Sequence, residues 1–205
     1  MFIFVRNNKM MITSIEQLNP NEIYSYTDYM TWQFAERVEL FKGYFRQMAA
    51  PNRYHQTVSG NLHREFSTHF RGKPCRVFHA PFDVKLVKNA AGKTDKEIYS
   101  VVQPDICVIC DRSKLDTQGC LGSPDLIIEI VSQSSTKTDV KDKFALYQEN
   151  GVLEYWIVRP SENTVEQFYL ENEKYVFKAT YVKEDIISPV LFPDLEINLE
   201  EVFEE

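Results

Sequence analysis

The chain has 205 residues, with 23 Lys and Arg against 30 Asp and Glu, for a formal net charge of −7 at pH 7. Hydrophobic residues make up 43% and charged ones 26%, with only 7 Gly and 9 Pro, a balance that excludes collagen-like, low-complexity and disordered classes. The acidic excess supplies no global field for a non-specific nucleic-acid coat, although a local basic groove needs only a few Lys and Arg on one face.

In chain order, an N-terminal tail is expected over 1–20 and a single domain over 21–205. Met1–Val5 is too short for an export-signal core, and no apolar run approaches the ~20 residues of a membrane span, so a cytoplasmic protein without a membrane partner is expected. Ser25 to Ala35 reads as a helix capped by Thr27 or Asp28. Arg37 to Met48 alternates and turns at Lys42-Gly43, the pattern of a hairpin. Pro51 opens a helix to about Phe70, whose inward stripe is His55, Val58, Leu62, Phe66 and either His69 or Phe70. A strand broken near Pro81 follows over Cys75 to Val87, then a polar loop from Lys88 to Glu97. Val101 to Cys110 reads as one strand and Asp111 to Ser123 as a loop with two glycines.

Ser123 to Tyr147 reads as a buried strand, a polar loop and a helix stopped by Gly151. Glu154 to Val158 is a further strand, Val165–Leu170 with Tyr175–Val182 an outer hairpin, and Leu199, Val202 and Phe203 a last helical turn in the acidic tail. No internal repeat is present. A helix between two buried strands predicts a mixed α/β order with at least one parallel pair.

Two charges break this pattern. Leu126, Ile127, Ile128, Ile130 and Val131 form a near-continuous aliphatic run, as in a strand covered on both faces, and Glu129 sits inside it. A bare carboxylate there is expensive unless paired, hydrogen-bonded or bound to metal. On the following helix Val140, Phe144, Leu146 and Tyr147 mark an apolar arc with Lys143 near its centre. A buried salt bridge, or a separate Asp139–Lys143 pair at i, i+4, accounts for these charges without any function.

Among the acids, Asp125 and Glu129 lie on one strand roughly 13 Å apart at the rise of an extended chain, too far to share an ion, so Asp125 reads as a turn residue. Asp105 sits on another strand and can lie beside Glu129 if the two strands pair. Arg64, Arg71, Lys73 and Arg76 read as solvated surface, with a phosphate-contacting cluster as the alternative. His63-x-Glu65 with Cys107-x-x-Cys110 loosely matches a zinc deaminase signature, but Ile106 stands where that signature needs Pro, and residues three apart on a strand face opposite ways. The four cysteines are expected reduced and buried.

The stretches ERVELFKGYFRQMAAPNRYHQ, HAPFDVKL, VVQPDICVICD, GSPDLIIEIVSQSS and KFALYQENGVLEYWIV follow one another in an order that closely resembles the Uma-type family, a branch of the restriction-endonuclease-like PD-(D/E)XK superfamily much expanded in cyanobacteria. The match runs from about Glu36 to Phe203. The resemblance implies an α/β (α+β) fold, a restriction-endonuclease-like mixed β-sheet flanked by helices, here with an extra C-terminal β-hairpin. It further implies Mg²⁺ (or Mn²⁺) held by Asp105 and Glu129 for hydrolysis of phosphodiester bonds in nucleic acid, with DNA expected. The superfamily's lysine two residues beyond the Glu is Val131 here; the Uma-type family shares that departure, and Lys143 matches the helix lysine thought to substitute. Glu39 matches a further acidic position, which implies a catalytic carboxylate that completes the metal sphere or positions the ammonium. His55 matches the family's helix histidine, a catalytic residue or equally a satisfied core histidine, while Gln133 replaces the family's usual Pro. Nucleases that cut both strands of a duplex are often dimers, which leaves a homodimer open here. The alternative is a non-catalytic nucleic-acid- or protein-binding module on the same fold.

Overall fold

A computed structural model describes residues 11–88, 92–132 and 136–204; Met1–Val5, Gln133, part of the Lys88–Glu97 loop and the last residue of the acidic tail lie outside the described residues. The first element is a 3-10 turn, Ile15–Gln17, after which Leu18 is buried beside Tyr24, Tyr26, Leu40 and Ile98. Helix α1 spans only Tyr26–Tyr29, against the longer helix predicted, and its N-cap is Ser25 rather than Thr27 or Asp28. Asp28 instead closes a capping box by accepting from the Ser25 N–H at 2.9 Å. Trp32 leaves the helical path to pack edge-on to Tyr24 and stack on Phe34, and that aromatic burial outweighs local helix propensity.

Strands β1 (Val38–Phe41) and β2 (Tyr44–Gln47) form the expected hairpin. Lys42 and Gly43 both have positive φ, 51° and 89°, as a two-residue turn of this kind demands. Helix α2 (Arg53–His69) is capped by Asn52, buries His55, Val58, Leu62 and Phe66, and is followed by a buried Phe70. Strands β3 (Arg76–His79) and β4 (Asp83–Lys85) flank a cis Ala80–Pro81 bond. Next come β5 (Val101–Val102), β6 (Ile106–Ile109), β7 (Gly119–Leu121) and β8 (Leu126–Ile130). Helix α3 (Lys137–Asn150) ends at Gly151 in the left-handed conformation. The chain closes with β9 (Glu154–Arg159), β10 (Thr164–Glu171), β11 (Lys174–Val182), β12 (Ile186–Ile187), β13 (Ile197–Asn198) and α4 (Leu199–Val202).

These strands make two main sheets, ordered β2-β1-β5-β4-β7 and β11-β10-β9-β8-β6-β3, with β12-β13 as a small third. The predicted parallel pair is β8–β9, and β10–β11 is the outer hairpin. The predicted continuous strand over Val101–Cys110 is broken, because β5 belongs to one sheet and β6 to the other. Pro104 at the break has no N–H for a ladder, and the N–H of Gln103 donates instead to Glu39 at 2.8 Å. The loop predicted over Asp111–Ser123 contains β7, which pairs parallel to β4. Its Gly-Cys-Leu sequence carries no alternation, and a Cβ on Gly119 would run into the Asp83 carbonyl.

β8 is buried on both faces. Leu126, Ile128 and Ile130 pack with Leu62 and Phe66 of α2, whereas Ile127 packs with Leu146 and Tyr147 of α3. The expectation of four reduced cysteines is corrected at one pair. The β3–β6 register sets Arg76 opposite Ile109 and so brings Cys75 beside Cys110, and the two form a disulfide. Cys107 and Cys120 are free thiols buried in the other core, so no zinc-like grouping of Cys107 and Cys110 exists. Among the described residues no helix is long and apolar enough to cross a membrane.

Candidate active site

The switch of sheets at Gln103–Asp105 opens a cleft of about 350 Å³ where the two sheets part. Glu39, His55, Asp105, Glu129 and Lys143 all line it. Each comes from a different place in the fold: Glu39 from β1, His55 from the first turn of α2, Asp105 from the residue just before β6, Glu129 from β8 and Lys143 from α3. The antiparallel register sets Ile106 opposite Ile128, which puts Asp105 next to Glu129 on neighbouring strands. Asp105 Oδ2 accepts from the Ile130 N–H at 2.8 Å and lies 3.3 Å from His55 Nε2.

Lys143 Nζ donates to Glu129 Oε1 at 3.0 Å and to Glu39 Oε1 at 3.4 Å, while the Tyr147 hydroxyl donates to the same Glu129 oxygen. The bland salt-bridge reading of Glu129 and Lys143 thus describes a real contact, but a third carboxylate shares it. The Asp139–Lys143 pairing does not form; Asp139 lies 3.6 Å from Arg46 instead. Burial pushes the Glu129 carboxyl up, with Asp105 and Glu39 adding to the rise, and the Lys143 charge and Tyr147 hydrogen bond restrain it. For Lys143, burial opposes the charged form, yet Glu129, Glu39 and Asp105 together outweigh it and hold the ammonium protonated well beyond its usual range. Burial likewise works against a charged His55, and Asp105 together with Glu129 and the Ile130 backbone more than offsets it, so its pKa is raised.

Three carboxylates face one lysine, so carboxyl oxygens dominate this cluster. Such hard anionic oxygens suit Mg²⁺ or Mn²⁺. Among the described residues, Oδ1 of Asp105 and Oε2 of Glu129 accept no hydrogen bond, leaving one oxygen on each for an ion. No three His, Cys, Asp or Glu among the described residues are disposed as a complete cage, so further oxygens from water or a phosphate would have to complete the sphere.

Asp125 caps the start of β8 by accepting from the Cys110 N–H at 2.7 Å, outside the cleft, as a turn residue would. Arg71, Lys73 and Arg76 follow the end of α2 opposite to His55, roughly 20 Å along the helix. There Lys73 pairs with Asp194 and Arg76 bonds backbone carbonyls, which is a surface network. Sequence reading missed Tyr147, Gln103, Arg37 and Arg46, of which the last three also line the cleft. Tyr147 had a signal, since it lies at i+4 from Lys143, and Arg37 lies two residues from Glu39 on one face of the hairpin.

The fold matches the crystal structure of a putative nuclease belonging to DUF820 from Anabaena variabilis ATCC 29413, with a TM-score of 0.65, 16% identity, and coverage of 87% of this chain and 97% of that one. The mixed α+β, restriction-endonuclease-like fold expected from the sequence is therefore the one observed. The uncharacterized protein slr1290 of Synechocystis sp. (strain ATCC 27184 / PCC 6803 / Kazusa) is 26% identical over 149 residues, 71% of this chain and 73% of its own length. The sequence profile of Uma2, described as "Putative restriction endonuclease", matches residues 26–200. With most of its length matched, this chain belongs to the Uma2 family.

Proposed function

We propose that this chain is a divalent-metal-dependent endonuclease that hydrolyses phosphodiester bonds of DNA. The observation carrying the reading is Asp105 beside Glu129 on adjacent strands, with the Lys143 ammonium 3.0 Å from Glu129, all in the wall of one cleft. Asp105 and Glu129 would hold Mg²⁺ or Mn²⁺. When bound, such an ion polarises the scissile phosphate and lowers the pKa of a coordinated water.

The chain's own residues do the rest. Lys143 stays protonated, so it serves as a fixed positive charge and hydrogen-bond donor toward water and phosphoryl oxygens rather than as a base. Glu39, itself held by the Gln103 N–H, helps fix the ammonium, and Tyr147 orients Glu129. His55 braces Asp105. Val131, at the position where the superfamily carries its lysine, packs against the α3 core, so the cation arrives from the helix instead. A homodimer would present two such clefts to the strands of a duplex, which sedimentation equilibrium checks.

Calorimetric titration of Mn²⁺ and Mg²⁺ into the wild type, Asp105→Asn and Glu129→Gln is the first test. Binding is expected in the wild type and lost in both variants. Cleavage of plasmid DNA is then expected only with metal, and Lys143→Ala should abolish it. Metal binding without cleavage of any nucleic acid would favour the non-catalytic module on the same fold.

A further inference from the structure

Among the described residues three strong cations line the cleft, and two of them are neutralised. Lys143 is held by Glu129 and Glu39. Arg46 donates to Asp142 at 2.6 Å, lies 3.6 Å from Asp139, and stacks its guanidinium 4.1 Å from the centre of the Phe41 ring. Arg37 differs. Among the described residues it makes no salt bridge, and its partner is the neutral side chain of Gln103, whose Oε1 accepts from Nε at 3.1 Å and from Nη2 at 2.8 Å. The Gln103 amide is fixed in that orientation because its Nε2 donates to Asp83 at 2.8 Å and to the Tyr29 hydroxyl at 3.3 Å. A flipped amide would set its N–H groups against the guanidinium. Gln103 therefore aims Arg37 without cancelling its charge, and Nη1 carries no bond to any described residue.

The placement is specific. Arg37 continues the β1 ladder by accepting from the Met48 N–H, so it projects on the same face as Glu39, two residues on. Gln103 likewise precedes Asp105 by two residues. The Arg37–Gln103 pair thus sits one step, about 6–7 Å of extended chain, from the Glu39–Asp105 edge of the carboxylate cluster. Arginine is suited to this task because its fork binds phosphate oxygens and never deprotonates.

We infer that Arg37 is a phosphate-binding residue of this cleft, gripping a nonbridging oxygen of the DNA phosphate next to the scissile one, with Gln103 as its positioning residue. This rests on the nuclease reading above. Binding of a fluorescein-labelled DNA duplex is measured by anisotropy in a chelating buffer, where turnover cannot intrude, across a series of KCl concentrations. The proteins are the wild type, Arg37→Gln, Arg37→Lys and, as a control for mere loss of charge, Arg71→Gln in the exposed turn that follows α2.

Arg37→Gln is expected to weaken binding about tenfold, the scale of a charged hydrogen bond, and to flatten the slope of log K against log[salt] by roughly 0.9. Arg37→Lys keeps the slope but loses affinity, because an ammonium cannot keep the fork on Gln103. Arg71→Gln changes neither. A wild type that binds while Arg37→Gln matches it in affinity and slope overturns this inference and leaves the nuclease reading standing. Should Arg37→Gln fail to fold by circular dichroism, Arg37→Lys decides, and wild-type affinity in that variant overturns the assignment. A wild type with no affinity for DNA either in chelating buffer or with Ca²⁺ in place of Mg²⁺ sinks both.

Discussion

Glu129 is 8% exposed on an otherwise aliphatic strand, and it is tolerated there because Lys143 and Tyr147 donate to the same oxygen. Removing Lys143 leaves Glu129 and Glu39 buried without their counter-charge. Lys143→Ala is therefore expected to lower the unfolding free energy by about 3 kcal/mol in urea denaturation, with Glu129→Gln in the same background recovering much of it. The pH dependence of that variant follows from burial, which pushes Glu129 up, and from Lys143, which restrains it. Without the lysine the folded pKa climbs further above the unfolded one. A carboxyl raised in this way contributes stability that is present below its unfolded pKa and is lost as pH rises through its folded pKa. Lys143→Ala should thus be less stable at about pH 8 than at about pH 5, and the Glu129→Gln double variant should lose most of that slope.

At the scale of elements, the site depends on the β1–β2 hairpin carrying Glu39 and on α3 carrying Lys143, tied together by Arg46 to Asp142. That tie is partly exposed and contributes little energy by itself. What holds the hairpin is its turn. Gly43 has φ of 89°, and a Cβ there would collide with the Ile23 side chain. Gly43→Ala should cost roughly 1–2 kcal/mol. Gly60 makes the opposite case, since it lies on α2 with open space where a Cβ would go. Gly60→Ala should stabilise by about 0.5–1 kcal/mol through helix propensity alone. Chemical denaturation of the pair checks both signs.

Over the whole molecule, the cleft exists because one chain feeds two sheets and crosses between them at Gln103–Asp105. The core on the first-sheet side contains both free thiols, Cys107 and Cys120. Burial raises both, Cys120 to about 12, so neither offers thiolate to a reagent while the protein is folded. Iodoacetamide followed by intact-mass measurement should add no group to the native protein and two after denaturation. Denaturation with reduction should add four, once the Cys75–Cys110 bond opens. Because reaction requires opening of the core, its rate should track global unfolding.

The sequence by itself determined where the anomalous charges lie. Glu129 inside an aliphatic run and Lys143 on an apolar helical arc are legible because strand and helix periods assign faces locally, and a charge on an inward face stands out. The same local logic located the hairpin, α2 and its stripe, β8, α3, β9 and the outer β10–β11 pair. Only the tertiary structure decided the rest. The break at Pro104, the short α1, the three-residue β7 and the Cys75–Cys110 pairing all depend on which distant segment lies alongside, and no period within one segment encodes that. Likewise Tyr147 reads as core until Glu129 is set against it, and Gln103 reads as a strand residue until Arg37, Asp83 and Glu39 converge on it. Burial patterns are written along the chain, whereas the partners of a buried polar group are chosen across it.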